Sequence, residues 1–344
     1  MAPRSFLNVL ILLVLTTITF GSRADLVVLQ YHHVSDSTPP STSTSTSLFE
    51  AQMTFIRDLG LPVVPLQSGT NKALNGESSA SNRVAITFDD AYESVYTSAA
   101  PTLAEFDYPY TIFVNTSAVG RPGYMTWEQL SELSKQQQVS IANHSADHGH
   151  LARKPDEAEK HWRQRVKHSL DDAQSRLSEE LGTETPMFAY PYGEFDQSLE
   201  SMIADRGWLG FGQQSGAIAA NSEKTRLPRF PMANAYGQLG SLESKLLSKA
   251  FPIDARMLPD SVIRSNPPLM SLALPDDMKA SKLTCFASGM GRIEFRLTEG
   301  GQVEVQAPKA FNSRRFRYNC TYPAGNGQFY WLSQQWLDPG KPED

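Results

Sequence analysis

The sequence predicts an α/β fold, a distorted or incomplete (β/α) barrel followed by a small antiparallel β-domain. Three observations predict it. Apolar stretches of strand length alternate with segments of helical period between residues 25 and 240, the rhythm of a parallel sheet. His32, Asp89, Asp90, His144, His148 and Tyr192 all follow directly on such stretches, and a parallel barrel gathers the C-terminal ends of its strands on one face. After about residue 265 the helical periods stop and short strands take over.

Composition fits this and sets limits. The chain has 344 residues, enough for two domains, and its 40% hydrophobic and 20% charged content is ordinary for a soluble globular protein. A net charge of −6 and the lack of a basic run argue against nucleic acid as a partner. Residues 1–24 read as a signal peptide. Arg4 supplies the positive start, residues 6–20 the apolar stretch, and Ser22-Arg23-Ala24 a small-x-small cleavage site. The apolar stretch is short for a membrane span of ~20 residues. Cleavage near Ala24, export to the periplasm or beyond, and no permanent membrane anchor are therefore expected. The only two cysteines, Cys285 and Cys320, are expected to pair in an exported protein. The expected division is a signal peptide at 1–24, a barrel domain at 25–264 and a β-rich domain at 265–344.

The elements follow in order. Residues 25–31 form a strand leading into His32-His33, and the Ser/Thr/Pro-rich 35–47 a loop. Ser47 with Glu50 reads as a capping box opening a helix that Gly60 closes. Residues 61–66 read as a short strand and 67–83 as polar connection. VAITFDD, 84–90, is a buried strand ending in two carboxylates, and Val95, Ala99, Leu103 and Phe106 give the next segment a helical face. Residues 110–115 and 139–143 are strands, separated by a helix that starts at Thr126 with Gln129. A long helix spans 156–181, with Ala158, Trp162, Val166, Leu170, Ala173, Leu177 and Leu181 as its buried stripe and Gly182 as its end. A strand at 187–190 opens into Pro191-Tyr192-Gly193, Asp196 caps a helix, and 208–211 and 227–231 complete the unit. Beyond it, strands are expected at 269–274, 282–288, 292–298, 302–307, 314–322 and 328–336. Phe329, Tyr330, Trp331 and Trp336 read as core residues or sugar-stacking surfaces. Arg314, Arg315 and Arg317 read as a solvated strand edge, with Arg315 and Arg317 on one face.

The chemistry centres on acids and histidines. Asp89-Asp90 ahead of a helix suits an N-cap as well as a site. His144-x-x-x-His148 at a strand end can aim two imidazoles at one metal, with one Asp as third ligand and a position left for water. The other Asp is then placed to take a proton from water.

Thr87-Phe88-Asp89-Asp90, His144-Ser145-Ala146-Asp147-His148 and Tyr190-Pro191-Tyr192-Gly193 resemble the polysaccharide deacetylase (NodB-homology) superfamily, carbohydrate esterase family 4. The resemblance covers roughly residues 25–240. It implies a distorted (β/α) barrel, a divalent metal, Zn²⁺ first, and an acetylated polysaccharide as substrate. It implies Asp90, His144 and His148 as metal ligands, Asp89 as general base, and the Tyr192 backbone N–H as oxyanion donor. Many members carry an Arg where Ala189 stands, so another cation, with Arg229 as the candidate, is expected to orient the base. Tyr190 and Arg229 are the candidate substrate contacts. The family's late general-acid histidine motif is lacking. Instead, Gln30-Tyr31-His32-His33-Val34 is similar to a segment of exported poly-β-1,6-N-acetylglucosamine deacetylases, where an N-terminal histidine is the acid. This implies His32 as acid, with His33 competing. It also implies N-deacetylation of that polymer, with chitin oligomers, peptidoglycan, acetylxylan or a non-catalytic glycan-binding role as alternatives.

Overall fold

The computed structural model describes residues 25–343. The expected signal peptide lies outside them. Seven parallel strands make the central sheet: β1 (Leu26–Tyr31), β2 (Arg83–Asp89), β3 (Tyr110–Val114), β4 (Val139–Asn143), β5 (Met187–Ala189), β6 (Leu209–Phe211) and, after the short β7 (Ala217–Ile218), β8 (Phe230–Pro231). The spatial order is β8-β1-β2-β3-β4-β5-β6, and β7 lies antiparallel on β1. One short segment joins the two ends of this curled sheet. Leu227 bridges to Phe211 and Phe230 pairs with Leu29, both in parallel. The fold is thus an incomplete (β/α) barrel.

Strand alternation sorts the residues. Val27, Leu29, Tyr31, Val84, Ile86 and Phe88 join the core beneath the helices. Leu26, Val28, Ala85, Phe113, Ala142, Met187 and Phe211 form a second core, contributed by every long strand, inside the curl. Continuing that period-two pattern puts Gln30, Thr87 and Asp89 inside the barrel mouth.

The helices follow the expected punctuation with two exceptions. Helix α1 (Thr46–Asp58) is capped by Ser45, whose hydroxyl accepts from the Leu48 N–H. Ser47 lies inside the helix, so the expected capping box does not form. Residues 61–66 contribute only a bridge at Val63, and α2 (Leu66–Leu74) occupies the first part of the stretch expected to be connection. Its hidden face is Leu66, Gly69, Thr70 and Ala73, too weakly apolar to show as periodicity. Gly69 is needed there, because a Cβ would meet the Val64 side chain at 2.6 Å. The segment after β2 starts as a π-turn at Val95–Ala99 and continues as α3 (Ala100–Glu105). Thr126 and Gln129 make the expected capping box on α4 (Trp127–Ser134). The long helix α5 (Glu159–Leu181) starts after Ala158, which is exposed, and ends on left-handed Gly182. Asp196 caps α6 (Gln197–Asp205), and α7 (Leu239–Leu246) follows β8.

The C-terminal region adds antiparallel strands. One sheet holds β9 (Lys249–Ala250), β11 (Thr284–Ala287), β12 (Gly291–Ile293), β15 (Arg315–Gly325) and β16 (Gln328–Leu337), and β10 (Leu269–Leu272), β13 (Phe295–Leu297) and β14 (Val303–Gln306) form the other. The stretch 292–298, expected as one strand, breaks at Glu294 and passes from the first sheet to the second. Cys285 and Cys320 sit opposite each other on β11 and β15 and form the disulfide. The core here begins as early as Phe251 and Leu258 and includes Trp336. Strand β15 lies between β11 and β16. Arg315 and Arg317 are therefore on an interior strand, not on the solvated edge the sequence suggests, because both ladders of β15 are paired.

Candidate metal centre and its cleft

The strand ends bring the expected side chains together. β2 delivers Asp89 inside the barrel. The chain then turns through left-handed Asp90 (φ 75°) and Ala91 (φ 55°), so the second carboxylate is redirected away from the first. β4 ends at Asn143, whose side-chain oxygen accepts from the Ser145 N–H and whose amide donates to the Leu170 carbonyl. Ser145 (φ 66°) and His148 (φ 52°) are also left-handed, and the His148 N–H donates to Ser145 Oγ at 3.1 Å. This tight turn folds His148 back beside His144.

One ligand atom each from Asp90, His144 and His148 lies within 4.8 Å of the others. His148 Nε2 is 3.1 Å and His144 Nε2 3.5 Å from the same Asp90 oxygen. The other ring nitrogen of His144 is 2.7 Å from the Ala189 carbonyl, which fixes the ring and directs Nε2 into the cluster. That Nε2 is buried and makes no hydrogen bond among the described residues. A buried nitrogen aimed at a carboxylate and a second imidazole is the donor set of a divalent-cation site with an open position. Burial opposes the charge on Asp90, but the His144 imidazole at 3.5 Å and the other imidazoles nearby hold its carboxyl well below the usual range. Burial pushes His148 down to about 4, so its ring is neutral and able to ligate at neutral pH.

Asp89 has a different environment. It is fully buried, and Arg229 grips it with both arms at 2.7 and 2.8 Å. Gln30 donates to the same carboxylate at 2.6 Å. Arg229 is itself held by the Gly212 carbonyl and Thr87 Oγ1. Burial alone would raise the Asp89 pKa, but the Arg229 charge outweighs it and takes the group to about 2. Ala189 contributes its carbonyl to His144, and Arg229 is the cation that sits on the Asp89 carboxylate.

A cleft of about 800 Å³ opens over the centre and is lined by His32, Asp90, Tyr92, His148 and Tyr192. His32 lines it, whereas His33 stacks on Tyr92 at 3.6 Å and reaches Ser94. Tyr192 occupies a left-handed turn (φ 57°), followed by Gly193, where a Cβ would meet Gln213 at 2.8 Å. Its ring stacks on His150 at 4.0 Å and lies under the Arg315 guanidinium at 5.2 Å. Of the two candidate substrate contacts, Tyr190 is buried with its hydroxyl on the Thr225 carbonyl, and Arg229 is buried on Asp89. Neither lines the cleft. The sequence pointed to no role for Tyr92, or for Asn115, whose amide is 3.5 Å from Asp90. Trp331, one of the aromatics read as core or sugar-stacking, lines the cleft, and Arg315 and Arg317, read as a solvated edge, face the same cleft. Phe329 is exposed at 38%, and Trp336 is core.

A family model described as polysaccharide deacetylase matches residues 76–208, a span that contains both aspartates, both histidines and Tyr192. This stretch of the chain thus resembles polysaccharide deacetylases. A relative of this family, the putative polysaccharide deacetylase YxkH of Bacillus subtilis, is 25% identical over 60% of this chain and 71% of its own length. The poly-β-1,6-N-acetyl-D-glucosamine N-deacetylase of Escherichia coli is 23% identical over 60% of this chain, but the match spans only 36% of that protein. Among solved structures, the Streptococcus pyogenes deacetylase PplD in complex with acetate superposes with a TM-score of 0.57 and 23% identity, covering 65% of this chain and 99% of that one. At that identity the likeness concerns the polysaccharide deacetylase fold alone. His32, Arg229 and the C-terminal strands all lie outside the matched family span.

Proposed function

We propose that this chain is an exported, metal-dependent hydrolase that removes N-acetyl groups from a polysaccharide and releases acetate. Poly-β-1,6-N-acetylglucosamine is the first polymer to test, since a relative of that name shares the barrel region. The observation that carries the proposal is the buried Asp90–His144–His148 cluster opening on a cleft, with a separately clamped carboxylate in the preceding residue.

Asp90, His144 and His148 would hold the cation, with Zn²⁺ the expected ion. When bound, it supplies Lewis acidity toward the acetyl carbonyl and makes water easier to deprotonate. Asp89 stays ionised because Arg229 and Gln30 stabilise its charge, and it is assigned as the base that takes the proton from water. The Tyr192 backbone N–H is assigned to the oxyanion. His32, the histidine that lines the cleft, is assigned to protonate the departing amine. His33, stacked on Tyr92, is the weaker choice. Arg229 acts through Asp89 as a positioning residue.

This division of labour separates two variants. Asp89→Asn should retain metal and lose activity by ~10²–10⁴-fold. His148→Ala should lose the metal as well, measured by elemental analysis of the purified protein. Equal metal content with equal activity in both would contradict the assignment.

A further inference from the structure

Arg317 stands on a strand whose odd-numbered residues face the cleft. Along β15, Phe316, Tyr318 and Cys320 enter the core of the C-terminal region, and Arg315, Arg317 and Asn319 line the cleft. The Arg317 backbone is fixed on both sides. Its N–H donates to Ser288 Oγ at 2.9 Å, its carbonyl accepts from the Ser288 N–H at 3.0 Å, and it pairs with Gln335 across the ladder. The guanidinium is therefore presented by a rigid element.

The charges around it do not balance. Glu194 is engaged by Arg314, Arg315 and His150. Asp89 is engaged by Arg229, and Asp90 belongs to the metal cluster. Among the described residues no carboxylate acts on Arg317. Burial, opposed by the nearby Tyr236 phenol and reinforced by the Arg315 charge, lowers its pKa to about 10, so it remains cationic at neutral pH. Lys245 lines the same cleft and adds another cation. A half-buried guanidinium without a counter-ion is costly unless a ligand supplies one, and its planar fork matches a carboxylate.

We propose that Arg317, with Arg315 beside it, forms a carboxylate-binding subsite, and that the glycan this chain acts on carries acidic sugars next to its N-acetylated ones. This rests on the deacetylase reading and narrows its substrate. A neutral poly-N-acetylglucosamine offers no anion to this wall, and its deacetylated product, bearing ammonium groups, is repelled by it.

The test uses two probes of equal length on the metal-loaded full chain: a hyaluronan hexasaccharide, which alternates N-acetylglucosamine with glucuronate, and chitohexaose, which is neutral. Binding is followed by calorimetry, and acetate release is measured in parallel. The acidic probe should bind ~10–100-fold more tightly than the neutral one, the scale of a charge-assisted hydrogen bond. Arg317→Gln should bring that ratio toward one, and Arg317→Lys, which keeps the charge and loses the fork, should keep part of it. A ratio that is unchanged in both variants, or a wild type that prefers chitohexaose, overturns the subsite. If Arg317→Gln does not fold, Arg317→Lys alone decides. Should the guanidinium serve released acetate instead, acetate would inhibit the wild type more than Arg317→Gln with the binding ratio unmoved, which also overturns it. The two readings fail separately. A binding ratio that responds to Arg317 without acetate release from any acetylated polymer sinks the deacetylase reading and keeps the subsite. Acetate release with an unresponsive ratio does the reverse.

Discussion

Arg229 and Arg317 flank the same end of the barrel in opposite circumstances. Arg229 comes from the segment that joins the two ends of the sheet, is fully buried, and spends its donors on Asp89, Thr87 and the Gly212 carbonyl. Arg317 comes from the C-terminal sheet, is half-buried, and has no acidic partner among the described residues. A guanidinium that is satisfied internally sets the geometry and charge of a neighbouring group. One left unsatisfied on a cleft wall has its effect when something binds.

Stability measurements can break that contrast. The largest effect is expected for Arg229→Gln, which strands the Asp89 charge inside the barrel and should cost about 3–5 kcal/mol in denaturant unfolding. Wild-type-like stability would mean that the pair is not the clamp described. The acid limb comes next. Asp89 is held at about 2 against an ordinary 3.8. A carboxylate lowered in the folded state stabilises the fold above its unfolded value and loses that contribution as pH falls through the folded one. The wild type should therefore lose about 2 kcal/mol as the pH falls from ~4 to ~2, and this step should be missing from Asp89→Asn. The smallest effect belongs to Arg317→Gln, whose unfolding free energy should stay within about 0.5 kcal/mol of wild type. A large loss there would make Arg317 a structural residue and remove the contrast.

What the sequence showed depends on how locally each feature is encoded. The barrel strands other than 61–66, the capping box at Thr126, the Gly182 terminus and the Cys285–Cys320 pair each rest on neighbouring residues or on a single count, and these appear in the structure. Asp90, His144 and His148 converge because parallel strands share one end, so the meeting of two histidines with an aspartate was legible from strand positions, and the choice of Asp90 over Asp89 only from the family resemblance. His32 had a usable signal too. It continues the inward alternation of Val28 and Gln30, whereas His33 falls in the opposite register. The pairing of Arg229 with Asp89 had no local signal, since the two meet only when the curled sheet is joined through 227–231. The weakly apolar buried face of α2 concealed a helix, and Glu294 gave no warning that one apparent strand serves two sheets. The period-two pattern placed Arg315 and Arg317 on one face, but only the sheet order shows that this face looks into the cleft and not into solvent.

The central claim is that the Asp90–His144–His148 cluster holds a catalytic cation. The most direct measurement is acetate release from poly-β-1,6-N-acetylglucosamine, and from an acidic N-acetylated glycan, before and after chelation and again after Zn²⁺ is restored. Release from at least one polymer that stops with the chelator and returns with the metal is the predicted result. Full acetate release from demonstrably metal-free protein would contradict it.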